Sequence, residues 1–152
     1  MSFIAPVAPY IAAATQVAAA RQASAVGRYN KAIQNRNAQV AEQEIELIEQ
    51  QKEFDIAKFD KQFAQLQGST KTNVLFSGAE LSGSGLRILR ANAEQAEVDK
   101  DIMNYNAEIN KSQKLEEANF SRMQGTLARQ QARAAEIGYY AQAGTSLLKA
   151  FG

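Results

Sequence analysis

Cysteine is absent from this sequence, and so is histidine. Without cysteine there is no disulfide and no thiolate site, and the redox compartment stays open. Without histidine the commonest general base and the commonest metal ligand are missing. Tryptophan is also absent, and the two prolines, Pro6 and Pro9, both lie at the N-terminus, so neither interrupts a long helix. No Cys/His or Ser/His arrangement and no glycine-rich loop between a strand and a helix is present. Gly83-Ser84-Gly85 follows no strand pattern and lacks a following Lys-Ser/Thr pair, which excludes a phosphate loop. The residues therefore nominate no enzyme activity, no catalytic, cofactor-binding or metal-binding side chain, and no cofactor.

What fills the space is alanine and carboxamide: 28 Ala, 16 Gln and 9 Asn against 7 Phe. This composition favours helices with small seam residues over a thick globular core. One stretch interrupts it. Gln67 to Leu86 holds four of the nine glycines, at Gly68, Gly78, Gly83 and Gly85, with Ser, Thr and Asn between them. Glycine adds backbone entropy and Ser/Thr/Asn compete for backbone hydrogen bonds, so this stretch reads as a helix breaker. The expected fold is all-α: a long antiparallel helical hairpin with a Gly/Ser-rich bend, assembling into a homo-oligomeric ring or bundle. The expected boundaries are an uncharged N-terminal segment over 1–14, a first arm over 15–67, a bend over 68–85 and a second arm over 86–150.

In the first arm Ile33, Val40, Leu47 and Phe54 recur every seven residues. Ile45, Ile48, Ile56, Phe59, Phe63 and Leu66 mark an adjoining line at steps of three and four, and together the lines are wider than a two-stranded seam needs. Glu42, Glu44, Glu46, Glu49 and Glu53 form an acidic run that reads as a solvated helix face. A metal-binding bundle would add histidines to such carboxylates. Val74-Leu75-Phe76 reads as an apolar plug that tucks between the arms or into a neighbouring subunit.

The second arm draws its apolar line from Leu86, Leu89, Ala93, Ala96, Ile102, Tyr105, Ile109, Phe120, Met123, Leu127 and Ala134. Asn104, Asn106 and Asn110 crowd its middle, either in the seam, where asparagine selects register, or exposed. If the arms pair around the bend, partner numbers add to about 152 and Gly27 lies level with Gly125. Two glycines at one level mark either a close crossing or a hinge, and Gly27 and Gly125 are the candidate hinge.

Residues 1–20 carry no charge, and no basic residue precedes Arg21, unlike a secretory signal. A spanning helix needs about 20 predominantly apolar residues. Pro6, Pro9, Thr15 and Gln16 weaken this stretch for that purpose, which favours docking into an oligomer or insertion by several copies together. The stretch from Ile137 to Leu148 is uncharged as well. In a hairpin the two would share one tip. Ile4, Tyr10, Ile11, Ile137, Tyr139, Tyr140, Leu147 and Leu148 are the candidate membrane or assembly residues there, with the tyrosines suited to an apolar–polar boundary. The equally open reading is a buried subunit contact. Net charge is +1, but residues 1–40 carry +4, residues 41–118 carry −6 and residues 119–152 carry +3. Pairing would place both basic ends together, or the segregation is incidental to a solvated surface.

The run Phe76-Ser-Gly-Ala-Glu-Leu-Ser-Gly-Ser-Gly85, then Leu89-Arg-Ala-Asn-Ala-Glu-Gln-Ala-Glu-Val-Asp99 and Tyr105-Asn-Ala-Glu108, resembles the middle of small internal virion proteins of short-tailed bacteriophages. Gly125 with the following Ala-Arg-Gln-Gln-Ala-Arg-Ala-Ala, and the closing Ala143-Gly-Thr-Ser-Leu-Leu-Lys-Ala-Phe-Gly152, fit the same pattern. The resemblance implies a structural role without enzyme activity, in a core inside the capsid near the portal. It implies ejection at infection, when such proteins help form a conduit for DNA across the host outer membrane. The implied partners are further copies of the chain, larger internal core proteins, the portal and, after ejection, the outer membrane. Non-specific contact with DNA follows from the basic ends. The rival expectation is a helical scaffold or adaptor protein of a large assembly with no membrane role.

Overall fold

A computed structural model describes residues 8–76 and 83–151. Two α-helices account for them: α1 (Ala8–Phe76) and α2 (Ser84–Phe151). The all-helical class expected from the composition is what the described residues adopt, and there is no strand among them. Gly83 precedes α2 with φ of 76°, a left-handed conformation that glycine adopts without a Cβ penalty. Its carbonyl accepts the first turn's hydrogen bond from the Arg87 amide at 3.2 Å.

The chain divides into two compact units. One combines residues 1–41 and 117–152, and the other is residues 42–116. In the first, the Arg129 guanidinium donates to the Ser24 carbonyl at 3.1 Å. Gly27 faces Ala128 and Ala132, and Gly125 faces Lys31 and Gln34, so the α1 and α2 segments run antiparallel. The buried residues here are small: Ala13, Ala20, Ser24, Ala38 and Ala41 on α1, and Ala118, Ser121 and Ala143 on α2. Ala38, Ala41 and Ala118 form one cluster. Their spacing of three and four puts them on a single helix stripe, and their size lets the two backbones approach closely.

The unit over 42–116 is a helical hairpin in its own right. Glu44 pairs with Lys114, Glu49 with Lys111 and Asp60 with Lys100, again antiparallel. Its seam is larger. Ile45, Ile48, Ile56, Phe59 and Phe63 are half-buried, and the Phe59 and Phe63 rings stack with centroids 6.2 Å apart. Opposite them lie Ala96 and Ala107, both buried, and the half-buried Leu89, Ala93 and Met103.

Several expectations are corrected. Helix begins by Ala8, inside the segment assigned to 1–14, and α1 runs on through Gly68 to Phe76, inside the expected bend over 68–85. The Ser and Thr residues expected to break it bond back to the helix instead. Ser69 Oγ donates to the Leu66 carbonyl and Thr72 Oγ1 to the Gly68 carbonyl, at 2.9 and 2.8 Å. Gln67, Thr70 and Val74 continue the half-buried stripe, so tertiary packing offsets the local propensity. Val74-Leu75-Phe76 is therefore the last turn of α1 and is not tucked between the arms: Val74 is half-buried, but Phe76 is 87% exposed. Residues 77–82, the rest of that bend, lie outside the described residues.

The late end of α1 shifts the register. Asp60 meets Lys100 and Glu49 meets Lys111, so partner numbers add to 160 and not to about 152. Gly27 is consequently not level with Gly125. It lies against Ala132, while Gly125 lies against Gln34, and both sit inside continuous helix at a close approach of the two backbones. Of the two lines in the first arm, Ile33, Val40, Leu47 and Phe54 are exposed, as is Leu66, while Ile45, Ile48, Ile56, Phe59 and Phe63 of the adjoining line are half-buried. On α2 Leu86, Ile102, Tyr105, Ile109, Phe120, Met123, Leu127 and Ala134 are all exposed, while Ala96, Ala107, Ala118 and Ser121 between them are buried.

The glycines yield a prediction with opposite signs. A Cβ built at Gly27 falls inside the Ala132 methyl, whereas one built at Gly68 meets nothing within 4 Å. Gly68→Ala should raise stability by about 0.5–1 kcal/mol through helix propensity. Gly27→Ala gains the same propensity but overpacks the seam, at a cost of about 1–3 kcal/mol, and should lower the thermal midpoint. Circular dichroism melts of the two variants check this, and a higher midpoint for Gly27→Ala would rule out the close approach.

Candidate interaction surface

In unit 42–116 three cross-helix ion pairs flank the apolar seam and share one polarity: acids on α1, lysines on α2. Lys111 Nζ donates to Glu49 Oε2 at 3.0 Å and to Glu108 Oε1 at 2.9 Å, and Lys52 also donates to Glu49. Lys100 bridges Asp60 at 3.3 Å and Glu97 at 2.9 Å, and Lys114 reaches Glu44 at 2.6 Å. Hydrogen bonds from Lys52 first and Lys111 second hold the Glu49 carboxyl below its ordinary value. The bond to Glu108, then that to Glu49, raises Lys111, and Glu97 followed by Asp60 raises Lys100. The acidic run thus does more than face solvent, because two of its members align α2 against α1. These pairs are surface-exposed, so they select register more than they add stability. Among the described residues no group of three or more acids could hold a metal ion.

Asn106 and Asn110 settle beside this seam. They line an open groove with Leu47, Gln51 and Met103, and all three middle asparagines, Asn104 included, are exposed.

Unit 1–41/117–152 presents two unlike flanks. Val26, Ile33 and Val40 each precede a seam position by one, while Arg21 and Arg28 follow one by one. Two residues further along an α-helix is about 200° of rotation, so the two sets point to opposite sides of the seam. On α2 the same division separates Leu127 from Arg129. Ile33 and Leu127 line one groove, and Val26 and Tyr139 line another. No charged side chain lines either groove. Arg129 crosses the seam on the other side to Ser24, and Arg122, seven residues earlier, shares its flank. The unit as a whole has eight basic side chains against two acidic ones. Its charge is thus kept out of both grooves on one flank.

The candidate tip residues divide as follows. Ile4 lies outside the described residues. Tyr10, Ile11, Ile137, Tyr139, Tyr140 and Leu148 are exposed, and Leu147 is half-buried. The Gly27–Ala132 and Gly125–Gln34 contacts pair numbers that add to 159, a register that, carried outward, matches Tyr10 and Ile11 with Lys149 and Leu148. Among the described residues no helix is long and apolar enough to cross a membrane. The two-sided flank was not legible as such from the sequence. Its signal was there in Ala20-Ser24-Gly27 and Ala118-Ser121-Gly125, small residues at steps of four and three that outcompete the larger hydrophobic line for close packing.

No family model matches this chain, and neither a curated protein nor a solved structure is found to be similar to it.

The ion pairs carry a pH signature. A carboxyl held below its unfolded value of 4.5 stabilises the fold above that pH, and the contribution disappears as pH falls through the lowered folded value. The raised lysines behave in the opposite sense: their contribution is complete below 10.5 and is lost as pH rises through the folded value. Glu49→Gln should therefore show a slightly lower thermal midpoint than the parent at pH 7, with the gap closing below pH 4.5. A gap that persists under acid would show that Glu49 acts by packing and not by charge.

Proposed function

We propose that this chain is a structural virion protein of the inner core of a short-tailed bacteriophage. It sits in the capsid near the portal and is ejected at infection to help form a DNA conduit across the host outer membrane. The reading assigns it no catalytic role. It makes copies of the chain, larger core proteins and the portal its partners in the particle, with the outer membrane and non-specific DNA contact following ejection.

The observation that supports this most is a mismatch between seam and flank. The antiparallel segments of unit 1–41/117–152 pack through Ala, Ser and Gly with Val26, Ile33, Val40, Phe120 and Leu127 outside, and in unit 42–116 Leu47, Phe54, Leu66, Ile102 and Ile109 are exposed beside a half-buried seam. Exposed apolar surface on this scale marks an assembly component. Slender helix pairs without disulfides also suit passage through a tail better than a thick core does. The basic residues bordering the adjoining uncharged ends would meet anionic head groups or DNA phosphates. A second reading, a helical scaffold with no membrane role, is favoured by the lack of any spanning helix among the described residues.

An epitope-tagged copy separates the readings. The tagged chain is expected in intact phage particles, depleted from particles after DNA ejection, and recovered in the outer-membrane fraction of infected cells. Retention in emptied particles would leave the scaffold reading, and absence from particles would sink the virion-core reading.

A further inference from the structure

We infer that the uncharged flank of unit 1–41/117–152 is a self-association surface, covered by a second copy of this chain meeting it face to face about a two-fold axis. The inference rests on the assembly part of the reading above and not on its viral part. Val26, Ile33 and Val40 of α1 and Phe120 and Leu127 of α2 are between 40% and 55% exposed. They recur at seven-residue spacing on their helices, the pattern of a second packing seam beside the first.

The chemistry of the flank selects the occupant. Asn30, Gln124 and Gln131 lie between the apolar side chains. A carboxamide both donates and accepts, so it pairs with its own kind across a two-fold axis. Lipid hydrocarbon would leave these groups without partners, at a desolvation cost that a second copy avoids. A strongly acidic or basic partner would find no counter-charge here. The eight basic side chains are no obstacle to self-association there, because none lines either groove. The surface suffices as well. From Ala19 to Val40 the helix covers about 30 Å, and two helices are about 20 Å wide. That is about 600 Å² per copy, at the lower end of stable interfaces. Two such faces form a four-helix layer whose contacts are isologous: what Ile33 touches on its partner, the partner's copy touches in return.

The full chain should sediment as a dimer of the 16.6 kDa protomer, or as an even multiple of it. Ile33→Lys and Leu127→Lys each place two charges in one interface, and each should weaken association at least tenfold with helicity by circular dichroism unchanged. Ala25→Lys, on another part of α1, should leave the mass as in the parent. Because the chain has no cysteine, crosslinking gives a second test that needs no disruptive change. Asn30→Cys should yield disulfide-linked dimers under mild oxidation, and Ala25→Cys should not. A monomeric parent at about 100 µM, a mass indifferent to both lysine variants, or preferential crosslinking from Ala25→Cys would each overturn the inference. So would a monomeric parent that binds anionic vesicles through Ile33, which would make the occupant a lipid surface. None of these outcomes bears on whether tagged chain is found in particles, so the two proposals fail separately.

Discussion

Close approach of two helices over small side chains is the constraint on which the rest depends. In unit 1–41/117–152 the backbones come near enough that Gly27 has no room for a methyl group beside Ala132. Ala38, Ala41 and Ala118 fill the seam without a large side chain among them. Such a seam gains dispersion contacts along the backbones but removes little apolar area from water. Its weakness as a hydrophobic core and the exposure of Val26, Ile33 and Leu127 are therefore one fact seen from two sides. Helices that met over their largest residues would bury that area but stand further apart.

In unit 42–116 the same antiparallel arrangement is maintained by different means. Phe59, Phe63 and the isoleucines half-fill the seam, and lysines from α2 reach acids of α1 at its edges. A hydrophobic stripe of repeating type tolerates sliding by a turn. Ion pairs of fixed polarity at three levels do not, because a slip would separate all of them at once. Their net contribution to stability is small, and their effect on register is correspondingly the more useful one.

Much of this was legible beforehand. The lack of proline after residue 9, the alanine and glutamine content and the steps of three and four specify long helices, since each property acts within a turn or two of the chain. The adjoining line Ile45, Ile48, Ile56, Phe59 and Phe63 was recognisable for the same reason. The bend was misplaced because Gly68, Ser69 and Thr72 carry a breaker signature that is only a local propensity. Thr70 and Val74 packing on the seam side, and hydroxyls bonded back to the helix, outweigh it. The exposure of Ile33, Val40, Leu47 and Phe54 has a different reason. A seven-residue repeat shows that a face is apolar, not which partner covers it.

The amino-acid order alone decided that the chain is helical, that its charge is segregated and that it contains neither histidine nor cysteine. These follow from backbone propensity and from which ionisable groups exist, and neither depends on long-range contact. Only the tertiary structure decided the register, the close passage of Gly27 past Ala132, and which of two competing apolar stripes is left open to solvent. Those outcomes turn on how near two distant segments can come. That distance is set by the pair of surfaces together, and a single stretch of chain does not contain it.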